Sequence, residues 1–269
     1  MKNITVIIPV HDASDSAKSW LNKAITSINL QKDKPEKTAI VHCDCPDVIA
    51  YFDALKAENN PILDGIDLIH NTGSNDFSSQ INFAANAVTT KYISILELDD
   101  EYSNTWFKNV GIYSEAYPNV DLFLPIVVDT DEDGNFLSFT NESVWAFNFA
   151  EEQGILNNDS LLNYNNFQTS GMVIDREKFL EIGGFKSNIK LAFVYEFLLR
   201  ATYNDLRVMT IPKFGYKHTN MREDSLFWNY KNNKRMQIFP EEAKFWIEAA
   251  KKEYFFKNDR QINYAPKNV

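Results

Sequence analysis

Short apolar runs alternate with segments of helical period along the N-terminal half of the chain, and few architectures accept that order. The runs ITVIIPV (4–10), TAIVHC (38–43), IDLIH (66–70) and YISILEL (92–98) are rich in β-branched residues and read as strands. Between them Trp20, Leu21, Ala24, Ile25 and Ile28, and later Phe77, Ile81, Ala84, Ala85 and Val88, are spaced as on one face of a helix. Ser and Asp residues precede the first of these helices, Pro46 stands where a first turn would start, and Asp76 can cap the third. Strand, helix, strand, helix predicts an α/β fold: a mainly parallel sheet flanked by helices on both faces.

The second half is less regular. VDLFLPIVV reads as a strand leading into DTDEDGNFLSF, where Asp133 and Gly134 make a turn between strand-like flanks. An Asn-rich stretch, NNDSLLNYNN, separates this from SGMVIDREKFLEIGGF, a short strand, a helix and a Gly-Gly stop. The helix FVYEFLLRATYN and the strand RVMTI follow, and a last helix starts at Pro240, with Glu241 and Glu242 in its first turn and Lys251 and Lys252 near its end, as the helix dipole prefers. With 269 residues, 44% of them hydrophobic, the chain can bury one sizeable core. The absence of repeats or disordered linkers predicts a single domain over 1–269, with halves at 1–105 and 106–235 and a C-terminal helix and tail at 236–269.

A net charge of −10 argues against a surface that tracks nucleic-acid phosphates. The N-terminal apolar run is too short for a leader or a membrane span, and none elsewhere is long enough. Cys43 and Cys45, two apart in an extended segment, do not suggest a bridge. A reducing, cytoplasmic location is expected.

The fourth apolar run ends in Glu97, Asp99, Asp100 and Glu101. In open parallel sheets ligands bind beyond the carboxyl ends of the strands, where Pro9, His11 and Asp12, then Asp44, and then this acidic cluster fall. Crowded carboxylates repel one another unless protonated or met by a cation. Oxygen ligands suit Mg²⁺ or Mn²⁺, which are commonly held by one or two carboxylates together with substrate phosphates. The alternative is a solvated turn in which Asp99 and Asp100 cap the helix around TWFKNV.

In order, ITVIIPVHD, SINLQ, a strand ending in an acid, NTGSNDFSSQINFAANAVTTKYISILELDD, SGMVIDREKFLEIGGF and FLLRATYND resemble family-2 glycosyltransferases of the GT-A (Rossmann-like) fold, over residues 3 to 226. The resemblance implies a nucleotide-sugar-binding half followed by an elaborated acceptor-side half. Glu97, Leu98, Asp99 and Asp100 match the Asp-X-Asp signature and the acid that often follows it, making Asp99 and Asp100 metal ligands and Glu97 a contact to ribose or, through water, to the ion. Asp44 matches an acid set against the nucleotide base, Pro9 and His11 the loop beneath the nucleotide, and Asn82 a residue common in the third helix. His218 matches a further metal or pyrophosphate contact, while Arg222 or Lys217 would neutralise a leaving diphosphate.

One departure matters. Similar enzymes carry a Glu-Asp pair, whose Asp is the general base, where this chain has Phe193 and Val194. Glu196 is the nearest acid, either a base with a pKa raised by its apolar neighbours or an i, i+4 partner of Arg200; Asp224 is the other candidate. The implied reaction is metal-assisted, inverting transfer from a nucleoside-diphosphate sugar to a hydroxyl of a glycan, lipid or protein acceptor. A catalytically degenerate binding or assembly module is the alternative. A nucleotidyltransferase would need a Gly-rich, basic loop after the first strand, and VIIPVHDASDSAKSW lacks one.

Overall fold

The structure is a computed structural model that describes residues 3–142, 154–163, 166–220 and 240–254. It begins with β1 (Ile4–Val10), α1 (Asp15–Asn29), β2 (Lys37–Cys43), α2 (Pro46–Ala57), β3 (Ile66–Asn71), α3 (Phe77–Ala87) and β4 (Tyr92–Ile95), in the alternation expected from the sequence. Then come β5 (Glu101–Tyr102), α4 (Trp106–Ala116), β6 (Leu122–Thr130), β7 (Phe136–Thr140), β8 (Ile155–Leu156), α5 (Asn158–Asn163), β9 (Val173–Asp175), α6 (Arg176–Glu181), α7 (Phe193–Tyr203), β10 (Val208–Thr219) and α8 (Pro240–Tyr254). Local chemistry sets the helix starts: Ser14 accepts from the Ala17 N–H, Asp76 from the Ser79 N–H, and Pro46 opens α2, where a missing N–H costs nothing.

The strands form one sheet in the order β3, β2, β1, β4, β9, β6, β10, β5, with β7 beside β6 and β8 beside β10. β1 is parallel to both β2 and β4, and β6 is parallel to β10. Every residue of β1 is buried because helices cover both faces of the sheet. On one face α1, α2 and α4 supply Leu21, Phe52, Trp106 and Phe107 to a cluster with Val6, Ile8 and Phe123. On the other, α3, α6 and α7 pack Ile81, Phe179 and Phe197 against Ile7, Ile95 and Leu122.

From β1 the chain moves outward to β2 and β3, and α3 then returns it to the opposite side of β1 as β4. The strand order therefore reverses between β1 and β4, which opens a crevice at their carboxyl ends. Pro9 lies inside β1, as the run 4–10 predicts, one residue short of the loop with which the family resemblance groups it, and pairs with Val41. Its nitrogen faces the β4 side, where the last bond to β1 runs from the Leu96 N–H to the Ile7 carbonyl. Beyond that bond β4 has turned away, so the proline removes no ladder hydrogen bond.

β10 is longer than its sequence suggests. RVMTI reads as a strand ending at Ile211, but β10 continues to Thr219, with register shifts between Thr210 and Phe214 and between Phe214 and Tyr216. These irregularities absorb Pro212 and carry His218 to the crevice, beside Asp129 of β6.

Candidate functional site

The acidic turn after β4 is built on two buried tyrosines. The Tyr216 hydroxyl accepts from the Glu97 N–H at 2.9 Å, and the Tyr102 hydroxyl donates to the Ile95 carbonyl at 3.0 Å. Gly171 (φ +72°) lies against this support, and a Cβ there would come within 2.4 Å of the Tyr216 ring.

On that support, ligand atoms of Glu97, Asp100 and His218 lie within 4.8 Å of one another. Asp100 is 1% exposed. Its Oδ1 accepts from the Thr219 N–H at 2.8 Å, whereas its Oδ2 is buried with no hydrogen-bond partner among the described residues. Ser170 donates to Glu97 Oε1 at 2.6 Å. His218 Nδ1 bonds Asp129 Oδ1 at 2.9 Å, which leaves Nε2 as its available ligand.

The electrostatics describe a pocket short of positive charge. Burial, with the charges of Asp99 and Glu97, pushes the Asp100 carboxyl well above the usual carboxylate range, against the pull of His218. Burial alone would lower the His218 imidazole, but the charge of Asp100, the bond to Asp129 and the charge of Glu97 raise it to about 10. Both shifts favour uptake of a proton, the site that a cation would take instead. Two carboxylates, one imidazole and an orphaned buried oxygen suit a divalent ion that accepts both oxygen and nitrogen.

Of the expected metal ligands, Asp100 and His218 are brought together, and Glu97 completes the group. Asp99 is half-buried on the same turn, with its carbonyl accepting from the Thr219 hydroxyl at 3.0 Å. Exposed His11 and Asp12 border the crevice after β1. Asp44, exposed at the end of β2, bonds His70 Nε2 at 2.8 Å, and the His70 ring stacks on His42 at 4.9 Å.

Other expected residues are engaged elsewhere. Asn82 exchanges two bonds with the backbone of Phe185, donating to its carbonyl at 2.7 Å and accepting from its N–H at 2.9 Å. Lys217 pairs with Glu101 at 3.5 Å across β10 and β5. Arg222 and Asp224 lie outside the described residues.

The raised pKa expected at Glu196 is not what the structure gives. Glu196 is 2% exposed, and its Oε1 meets Arg200 Nε at 2.8 Å and Lys186 Nζ at 2.9 Å, while Oε2 accepts from Arg200 Nη2 at 3.0 Å. Burial alone would raise the carboxyl, but these cations hold it below its ordinary value. Arg200 also donates to the carbonyls of Ile182 and Gly184, so the pair clamps the Gly-Gly turn after α6.

Three residues at the site escape sequence reasoning: Asp129, Gln168 and Ser170. Asp129 has a visible signal, a carboxylate closing the apolar run of β6, as Glu97 closes that of β4. Gln168 and Ser170 flank the site only through folding, and no spacing in the sequence announces them.

Residues 5–181 match the family model described as Glycosyl transferase family 2. No curated protein matches. Among solved structures, S. aureus TarS 1-349 in complex with UDP-GlcNAc superposes with a TM-score of 0.62 at 14% identity, covering 82% of this chain and 59% of that one. A longer S. aureus TarS structure gives 0.58 at 16% identity, and this chain spans 44% of its length. The mannosyltransferase PcManGT from Pyrobaculum calidifontis, in complex with GDP-Man and Mn²⁺, gives 0.57 at 16% identity, covering 95% of this chain and 70% of that one. At these identities the likeness is one of fold.

Proposed function

The chain belongs to glycosyl transferase family 2, and from that premise we propose that it moves a sugar from a nucleoside-diphosphate sugar to an acceptor hydroxyl, with inversion and with the help of a divalent cation. The observation that supports this best is the gathering of Glu97, Asp100 and His218 around an orphaned carboxylate oxygen at the crevice.

Mn²⁺ suits this mixed oxygen and nitrogen set better than Mg²⁺, which prefers oxygen ligands and water. Glu97, Asp100 and His218 would hold the ion, with Asp99 beside them on the same turn. When bound, the ion supplies Lewis acidity toward the departing phosphate oxygen. Asp44, steadied by His70, is set to accept a hydrogen bond from a ring N–H of the nucleobase. His11 borders the crevice where the nucleotide would lie.

Glu196 is better read as scaffold than as base. A general base must reach the acceptor hydroxyl, and Glu196 is buried with both oxygens paired to the cations of Arg200 and Lys186. Asp224 is the remaining candidate acid for deprotonating the acceptor. A second reading, a module that binds a nucleotide sugar without transferring it, is favoured by Phe193 and Val194 in place of the acidic pair and by the engagement of Glu196.

A panel of UDP- and GDP-sugars, incubated with the protein and Mn²⁺, separates the two. Release of nucleoside diphosphate that grows with added acceptor supports transfer. Mn²⁺-dependent binding with no release supports the module, and neither binding nor release across the panel rejects both.

A further inference from the structure

We propose that Asp129 is a positioning residue for the cation site, fixing the ring of His218 through one carboxylate oxygen while the other anchors the β6–β7 hairpin. The proposal rests on the reading of Glu97, Asp100 and His218 as ligands. Strand register puts the parts in line: His218 of β10 is the partner of Asp129 on β6, and Ser138 of β7 is the partner of Asp129 on its other side.

The two oxygens have separate duties. Oδ1 meets His218 Nδ1 at 2.9 Å and Gln168 Nε2 at 3.2 Å, whereas Oδ2 accepts from Ser138 at 2.9 Å and Thr140 at 2.7 Å. Asp129 is 2% exposed, and burying a carboxylate there is tolerable because four donors meet it. A hairpin alone would be closed by neutral hydroxyls without a buried charge. The oxygen on Nδ1 accounts for that charge: it turns Nε2 toward Glu97 and Asp100 and makes the imidazole a stronger electron donor. The second ligand, Glu97, is held separately. Ser170, whose single O–H goes to Glu97 at 2.6 Å, also lies 3.3 Å from Gln168 Oε1. The carboxylate of Asp129 thus orients His218 alone among the three ligands.

The test measures Mn²⁺ affinity, by electron paramagnetic resonance of the free ion, for wild type, Asp129→Asn, His218→Gln, the double variant and Ser138→Ala. Asp129→Asn keeps the size and removes the charge. Its Mn²⁺ dissociation constant should rise by about 10- to 100-fold, and the double variant should bind no more weakly than His218→Gln alone. Ser138→Ala, which loses a bond on the hairpin side only, should bind as wild type does. Wild-type affinity in Asp129→Asn overturns the proposal. So does an equal loss in Ser138→Ala, or a full further loss on the His218→Gln background. If wild type binds no Mn²⁺, the ligand reading falls and the proposal with it, an outcome distinct from the others. Should Asp129→Asn not fold, nitrogen NMR of the wild type loaded with diamagnetic Zn²⁺ decides, the four histidines of the chain making the His218 signals assignable through His218→Gln. A ring protonated at Nδ1 and metal-bound at Nε2 is expected; a ring protonated at Nε2 or at both nitrogens contradicts it.

Discussion

Asp100 carries a charge into a pocket that Glu97 already makes negative, and burial keeps that charge costly until a cation arrives. Asp100→Asn should therefore lose at least about tenfold in Mn²⁺ affinity, the scale on which metal ligands and their supports act, while melting higher than wild type in the absence of metal. Thermal denaturation with and without Mn²⁺ checks both halves. A variant that melts lower without metal, or that still gains from Mn²⁺ as wild type does, contradicts the assignment. Asp44 poses a different residue-scale question, because His70 already holds one of its oxygens. If the carboxylate also accepts from a nucleobase, Asp44→Ala should cost on the order of 1–3 kcal/mol for the favoured base and little for the other. Calorimetric titration with UDP and GDP distinguishes this from an equal loss for both, which would show that Asp44 does not read the base.

At the scale of elements, α7 shows why a motif position can mislead. Glu196 and Arg200 stand one helical turn apart, and from sequence that spacing fits an ion pair or a free base equally well. Folding decides, because Gly183 and Gly184 bring the turn after α6 to Arg200, and Lys186 closes over Glu196. Glu196→Gln breaks a buried pair and should lower stability at pH 7 by on the order of 3 kcal/mol, with nucleotide binding near wild type. Against burial, the cations hold the folded-state carboxyl below its ordinary 4.5. Ionised Glu196 hence stabilises the protein above about that pH, and its contribution fades as the pH falls through the lowered folded value. The stability curves of wild type and variant should converge in acid. A constant gap down to low pH, or loss of transfer with no loss of stability, contradicts the scaffold role. Gly171 is a second element-scale test. Gly171→Ala should destabilise by more than about 1 kcal/mol through its positive φ and the displaced Tyr216, and should weaken Mn²⁺ binding because Tyr216 holds the Glu97 N–H. Unchanged melting and Mn²⁺ affinity would remove Tyr216 from the account. The alternation from β1 to β4 and the acidic turn were legible in the sequence, because period and strand ends are local properties. The extension of β10 was not, since Pro212 and Gly215 disguise a bulged strand, and Asp129 acquires its meaning only from a strand far along the chain.

For the whole molecule, the reversal of strand order between β1 and β4 sets where chemistry can occur, and the long β10 completes the site from the other half of the chain. Among the described residues no helix is long and apolar enough to cross a membrane. The chain as a whole is acidic, with a net charge of −10, so holding a diphosphate at an acidic turn calls for a cation. Cation and nucleotide should consequently each strengthen the binding of the other. Anomalous diffraction from crystals grown with Mn²⁺ and a nucleoside diphosphate addresses this most directly. A manganese peak bonded to Glu97, Asp100 and His218 Nε2 and to phosphate oxygens of the nucleotide is expected; nucleotide in the crevice with no manganese at those three side chains would rule out the cation site.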